Sequence, residues 1–450
     1  MHQRIDNALR ALRQDLPSRL DESTVAAACR KVGHSWRKCL LTPCAIIHWF
    51  ITQVLHGNTA LQHISLLADR QFTDAAYCQA RSRLPLALFQ ELLKIIIQAL
   101  GSDIDITGRW LGHRTFLIDG SSFSMPDTPE LQSYFGQPGG QRPGCGFPVA
   151  KILALFHAGT GMLLDVLAAP LRTHDMSQID AIHPLLERDD VLVADRGFCS
   201  FVHLALLAAR GVHAVFRVHQ NQLVDFTPNR PHTAPRQKKA PAGQPRSRWL
   251  RRLGEFDQIV EWFKPARRPV WLSEERFRQL PGSLTVRELR YEIGRPGFRT
   301  RRVTLVTTLL DFENYTAAAL ATLYGTRWQV ETNLKHLKIT MKFDVCKCMT
   351  VQGVLKEMTV YAIVYNLVRL VMTEAARSRG VRVERISFID ALRWLCEATG
   401  SPKLSQLVVN PERPNRIEPR AVKRRPKEYD RLTKPRKELR KRLLDQYVAA

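Results

Sequence analysis

The chain has 450 residues, 45% of them apolar, and 67 Lys and Arg set against 42 Asp and Glu, a formal charge of +25. That length accommodates two or three domains with a sizeable core, and the apolar share excludes wholesale disorder. The cationic surplus, with a pI near 10.1, points to a polyanionic partner, most often nucleic acid.

Met1 to Leu20 is polar and charged, so no secretory signal is read there. The first hundred residues carry helical spacing at Ile64, Leu67 and Ala68 and again at Phe89, Leu92, Leu93, Ile96 and Ile97. Residues 1–105 are therefore expected to form an N-terminal helical domain, and the arginines on the segment Asp74 to Pro85 read either as the grip of a DNA-binding domain or as ordinary surface arginines. The apolar stretches Leu40–Leu55 and Met358–Met372 are interrupted by polar residues and read as buried helices rather than membrane spans. The nine cysteines are scattered, and only Cys346 and Cys348 lie close together. This spacing gives no case for structural zinc and reads as reduced thiols of a cytoplasmic protein.

Thr115 to Ile118 reads as a buried strand meeting a turn at Asp119-Gly120, followed by a loop rich in Gly and Pro. Val149–His157 and Met162–Leu167, joined through Gly159-Thr-Gly161, read as a hairpin. Helical periodicity from Asp175 to Glu187 leads to a strand at Val191–Ala194, a helix at Phe201–Arg210 and a strand at His213–Val218. The order β-β-β-α-β-α-β predicts an α/β fold with a ribonuclease-H-like sheet over residues 110–224. Residues 226–254 read as a basic loop or linker, and strand-like runs at Gln258–Phe263, Leu284–Ile293 and Val303–Leu309 make 225–310 a mostly β insertion. Helices resume at Thr316–Lys338 and Val354–Arg377, within a second core part at 311–400. A flexible basic tail is expected at 401–450, carrying Lys423-Arg-Arg425, Lys427 and Arg440-Lys441-Arg442.

On such a sheet the first and fourth strands are parallel neighbours, so Asp119 and Asp195 would emerge side by side at their carboxyl ends. Two acids so placed repel unless a cation lies between them, which suits magnesium; manganese is not separated from it on these ligands. Each Asp alone is equally a turn residue. A third carboxylate is offered by Glu331, on a helix where Tyr324, Arg327, Glu331 and Lys338 would share one face. That face reads either as a solvated Arg327–Glu331 ion pair or as a cationic grip on phosphates beside an acid.

The block Tyr324-x2-Arg327-x3-Glu331-x6-Lys338 resembles the signature of the IS-four branch of bacterial insertion-sequence DDE transposases. Leu117-Ile-Asp-Gly-Ser-Ser122 with Pro126–Glu130, and Asp195-Arg-Gly-Phe198 with Phe216-Arg217, resemble its two earlier acidic blocks. The segments Asp74–Pro85 and Pro419–Lys427 are similar to family members too. The resemblance implies metal-dependent DNA cleavage and strand transfer by cut-and-paste, in the bacterial cytoplasm at the nucleoid. Asp119, Asp195 and Glu331 would hold two Mg2+ ions, and a homodimer would pair the transposon's terminal inverted repeats before joining them to target DNA. Tyr324, Arg327 and Lys338 would contact the end strand and Arg217 a phosphate, while Trp249, Trp262 and Trp271 are the candidates for stacking a flipped base. Two other classes share the charge and sheet: a transposase-derived DNA-binding protein without catalysis, and a ribonuclease-H-like nuclease that cuts without joining.

Overall fold

The computed structural model describes residues 20–37, 39–67, 72–99, 101, 108–232, 245–293, 302–397, 404–412 and 432–448. Ala68, the middle of the basic loop at 233–244 and the tail blocks around Lys423 and Lys427 lie outside the described residues. Five helices come first: α1 Glu22–Lys31, α2 Pro43–Leu55, α3 Leu61–Leu67, α4 Asp74–Arg83 and α5 Leu86–Ala99. Asp21, Thr42 and Thr73 cap α1, α2 and α4 by accepting backbone N–H bonds, which is why each helix starts where it does.

One nine-stranded sheet organises the rest, in the order β3-β2-β1-β4-β5-β9-β8-β7-β6. Its members are β1 Thr115–Ser124, β2 Val149–His157, β3 Leu163–Pro170, β4 Val191–Ala194, β5 His213–Arg217, β6 Ser247–Gly254, β7 Asp257–Phe263, β8 Ser283–Glu292 and β9 Arg302–Thr307. β1, β4 and β5 are mutually parallel. The remaining pairings are antiparallel, and β9 joins the later strands to the edge of β5.

Five local expectations are corrected. No turn follows Ile118: β1 runs on through Asp119 and Gly120 to Ser124, because β2 pairs with it as far as Ser124↔Val149. The stretch read as one helix from Asp175 is three short pieces, 3-10, α and 3-10, because Pro184 lacks the N–H a continuous helix needs. Residues 247–254, read as linker, form β6, an edge strand whose arginines suit a solvent edge. The basic tail contains a helix, Arg436–Val448, and the Gly- and Pro-rich loop contains another, Pro129–Phe135, capped by Thr128.

Two apolar layers cover the sheet, and strand alternation assigns the residues. Leu117, Phe123, Val193 and Val215 face one layer, while Phe116, Ile118, Leu192, Ala194 and Phe216 face the other. The first layer is built on the 29-residue helix Val351–Arg379, buried along most of its length. Its polar interruptions have structural partners: Asn366 accepts from Leu163 N and donates to Leu163 O, both at 2.8 Å, and Arg369 donates to Thr160 O in the β2–β3 turn. The side chains of this helix thus satisfy backbone groups at the start of β3 and in the turn before it. Among the described residues no helix is long and apolar enough to cross a membrane.

Candidate active site

The parallel register places the sequence candidates in one row. Ile118 pairs with Ala194 and Ala194 with Phe216. The next residues along the three strands are Asp119, Asp195 and Arg217, and all three follow residues of the second layer. Alternation therefore turns them toward the first layer, over Leu117, Val193 and Val215. A Cβ at Gly120 would meet Asp175 Oδ2 at 2.7 Å, on the opposite side of the sheet from Asp119, so any larger residue needs the Asp175 side chain to move.

The third candidate arrives from above the row. The helix Ala317–Gly325 ends after Tyr324, and a tight turn at Thr326–Arg327 hands over to the helix Trp328–Lys335. The expected single helix is thus two, joined by i→i−3 bonds from Thr326 N and Arg327 N. A π-helical turn, His336–Thr340, follows and carries Lys338. Such turns widen the helix by one residue and recur at functional sites. Here Lys338 Nζ donates to Ser121 Oγ at 3.0 Å, two residues beyond Asp119 on the same side of β1.

Arg327 links the acids. Its guanidinium lies 2.9 Å from Glu331 Oε1 and 3.9 Å from Asp119 Oδ2, and its Nε is buried without a partner. Tyr324 and Trp328 flank the guanidinium at 6.0 and 5.6 Å. Both sequence readings of the Arg327–Glu331 pair are therefore present at once, since the ion pair exists and its cation also reaches the first acid.

The electrostatics are unbalanced. Burial pushes the Asp119 carboxyl up to about 6; the Gly120 N–H and Arg327 oppose that rise, and the charges of Asp195 and Glu331 add to it. Burial also drives the Tyr324 hydroxyl well above its ordinary range. For Arg327, burial works against the charge, but Tyr324, Glu331 and Asp195 outweigh it and hold the guanidinium protonated. Among the described residues no three His, Cys, Asp or Glu side chains close around a single point. Asp119 and Glu331 share the Arg327 guanidinium, and the charges of Asp195 and Glu331 reach Asp119, so the nearby donors are carboxylate oxygens. That chemistry fits a hard divalent cation.

Two features of the site escape a sequence reading. Trp328 is 55% exposed beside Arg327, within the signature block but hidden by attention to its charged members. Ser121 fixes Lys338, a pairing across more than two hundred residues that no local pattern reveals. Of the three tryptophans named for base stacking, Trp262 is excluded. It is fully buried and its indole N–H donates to Glu288 at 2.8 Å.

A family model described as the transposase DDE domain matches residues 110–367. Transposase InsG of insertion sequence element IS4, from Escherichia coli (strain K12), is 25% identical over 407 residues, covering 85% of this chain and 84% of that protein. The transposase-like protein InsZ of the same organism is 26% identical over 175 residues, 38% of this chain, and this chain spans only 58% of its length. Among solved structures, a cryo-EM structure of the piggyBac transposase synaptic complex with hairpin DNA aligns with 87% of this chain and 78% of that one, at 11% identity and a TM-score of 0.43.

Proposed function

The chain belongs to the DDE transposase family, of the IS4 type, whose members act on DNA with divalent metal ions, and from that premise we propose the site, substrate and course of its reaction. It cuts at the ends of an insertion sequence and joins the freed ends to target DNA. Its catalytic residues are Asp119, Asp195 and Glu331, on a ribonuclease-H-like core. The observation that supports the reading is that Arg327 reaches both Asp119 and Glu331 while Asp195 follows the parallel strand beside that of Asp119.

Divalent ions, magnesium or manganese, held by Asp119, Asp195 and Glu331 would activate the attacking hydroxyl and stabilise the leaving oxygen. The chain's own groups do the rest. Arg217, in line with the two aspartates, binds the phosphate beside the scissile one. Lys338, held by Ser121, and Tyr324 fix the transposon-end strand along the helix that bears Glu331. Arg327 leaves Asp119 for the DNA backbone when phosphate enters, because a phosphate offers its fork two oxygens at bonding distance in place of one carboxylate at 3.9 Å. Trp328 presents its exposed ring to a base displaced at the cleavage point. Attack by water and then by the freed 3′-hydroxyl needs no protein nucleophile, so no Ser or Tyr is assigned that role. Two copies of the chain hold the two terminal repeats.

The test is cleavage of a duplex carrying the element's terminal repeat, comparing the unaltered chain with Glu331→Ala in magnesium and in chelator. Metal-dependent nicking that disappears in the variant is expected. Binding without cutting in any metal overturns the catalytic reading and leaves a DNA-binding descendant. Cutting without strand transfer leaves a nuclease.

A further inference from the structure

We propose that a groove in the N-terminal helices binds an unstacked nucleotide, a site separate from the acidic row. The inference rests on DNA being the substrate, as argued above. The groove has a volume of about 440 Å³ and lies between the loop ahead of α2 and the end of α4. Ile46 and Leu84 contribute an apolar base, Trp36 and His34 an aromatic wall, and Arg37 and Arg83 the cations.

Three properties select the ligand. The volume lies in the range of small-ligand sites and is far too narrow for a duplex. Trp36 is 39% exposed and its ring lies nearly parallel to that of His34, at 12° and 6.4 Å between centroids, so two flat rings sit together in the lining. No Asp or Glu lines the groove, and neither Arg37 nor Arg83 has an ion-pair partner among the described residues. Cations paired with aromatic faces and an absence of acids suit a base with its phosphate. Phosphates of an intact duplex would use the arginines but leave the ring without a role, because paired bases are already stacked. The groove is also fixed relative to the acidic row. Arg81, one helical position pair before Arg83 in α4, donates to Gln53 and to Cys348, in the segment that follows the Lys338 turn.

The experiment uses the full chain and a fluorescein-labelled oligothymidylate, read by anisotropy, beside a duplex of mixed sequence. Trp36→Ala is expected to weaken oligothymidylate binding by roughly tenfold, the size of one lost base–aromatic stack, and to leave duplex binding within about twofold. Trp36→Phe is expected to restore the affinity, and an unchanged melting curve will show that the fold is intact. No binding of oligothymidylate by the unaltered chain, no loss in Trp36→Ala, or an equal loss on duplex overturns the site. An end duplex with a frayed terminus and a target duplex with an unpaired base then identify which DNA supplies the nucleotide, by which one Trp36→Ala weakens. Metal-dependent end cleavage, measured in the same Trp36 variants at saturating protein, keeps the two readings apart. Its persistence without a groove effect sinks only the groove, and its absence from the unaltered chain sinks the transposase reading.

Discussion

Asp119 in β1 and Glu288 in β8 are both buried acids of one sheet, but their surroundings differ in kind. Glu288 is fully buried and accepts 2.8 Å bonds from Gln258 Nε2 and Trp262 Nε1, with Arg230 and Arg290 nearby. Asp119 accepts one backbone N–H from Gly120, sees a guanidinium only at 3.9 Å and is pushed up by two further acids. Burial raises both carboxyls, yet Glu288 has two side-chain donors where Asp119 has one backbone N–H. The Glu288 donors complete a structural network; the acids around Asp119 are left to be completed by something the fold does not contain.

The largest effect that could break this contrast is expected at Asp119. Asp119→Asn should lower end cleavage by at least about a thousandfold, roughly 4 kcal/mol of transition-state stabilisation, while end binding persists. The same substitution should raise stability at pH 7 by ~1–3 kcal/mol. The sign follows from a carboxyl pushed up to about 6: the folded state carries an unfavourable charge above that pH and is relieved of it as pH falls from 6 toward 3.8. Glu288→Ala should behave in reverse, costing ~2–4 kcal/mol in a denaturant melt by stranding the Gln258 and Trp262 donors, with cleavage retained wherever the protein remains folded. If both substitutions destabilise equally, the distinction between completed and incomplete acids fails.

How much of this was legible in sequence depends on how local the cause is. The chain order of β1 to β5 and the parallel pairing of β1 with β4 follow from apolar runs and turn residues, and both were readable. The family resemblance drawn from short spaced blocks is borne out by the family model over residues 110–367 and by one relative matched over 85% of the chain. What escaped was set by distant partners. β1 continues past Asp119 only because β2 is there to pair with it, and β6 is a strand only because β7 offers an edge. Burial of Trp262 depends on Glu288 from another strand, so an indole that looks available in sequence is committed to the core. The break at Thr326–Arg327 and the π turn at Lys338 were hidden because spacing arguments assume ideal helices.

A buried pair of the opposite chemistry sharpens the contrast through pH. His183 and His203 stack at 5.1 Å, both have an unpartnered Nε2, and burial lowers them to about 4 and about 3. A histidine depressed in the fold binds protons more readily when unfolded, so its stability contribution is complete above pH 6.5 and is lost as pH falls through 4. Asp119 acts in the opposite sense over much of the same window. Between pH 6 and 4 the melting temperature should therefore fall through the histidines, and His183→Phe should flatten that limb by ~1–3 kcal/mol at pH 4. Asp119→Asn should steepen it. A limb unchanged in both variants would remove the electrostatic basis of the comparison.

The smallest expected effect concerns Lys338, and it tests whether the incomplete acids sit in a DNA path. Its ammonium donates to the Ser121 hydroxyl, which positions it two residues past Asp119 along β1. A lysine that contacts one phosphate releases about one counterion on binding, so Lys338→Ala should reduce the slope of log affinity against log salt by about 0.9. Affinity for end duplex should fall by ~1 kcal/mol at low salt, uniformly across sequences, because a phosphate contact carries no base information. Ser121→Ala keeps the charge and loosens only its placement, so it should leave the slope intact and weaken cleavage more than binding. If Lys338→Ala lowers affinity with an unchanged slope, the lysine supports the π turn rather than the DNA. The row of acids would then have only Arg217 and Arg327 as its cationic flank.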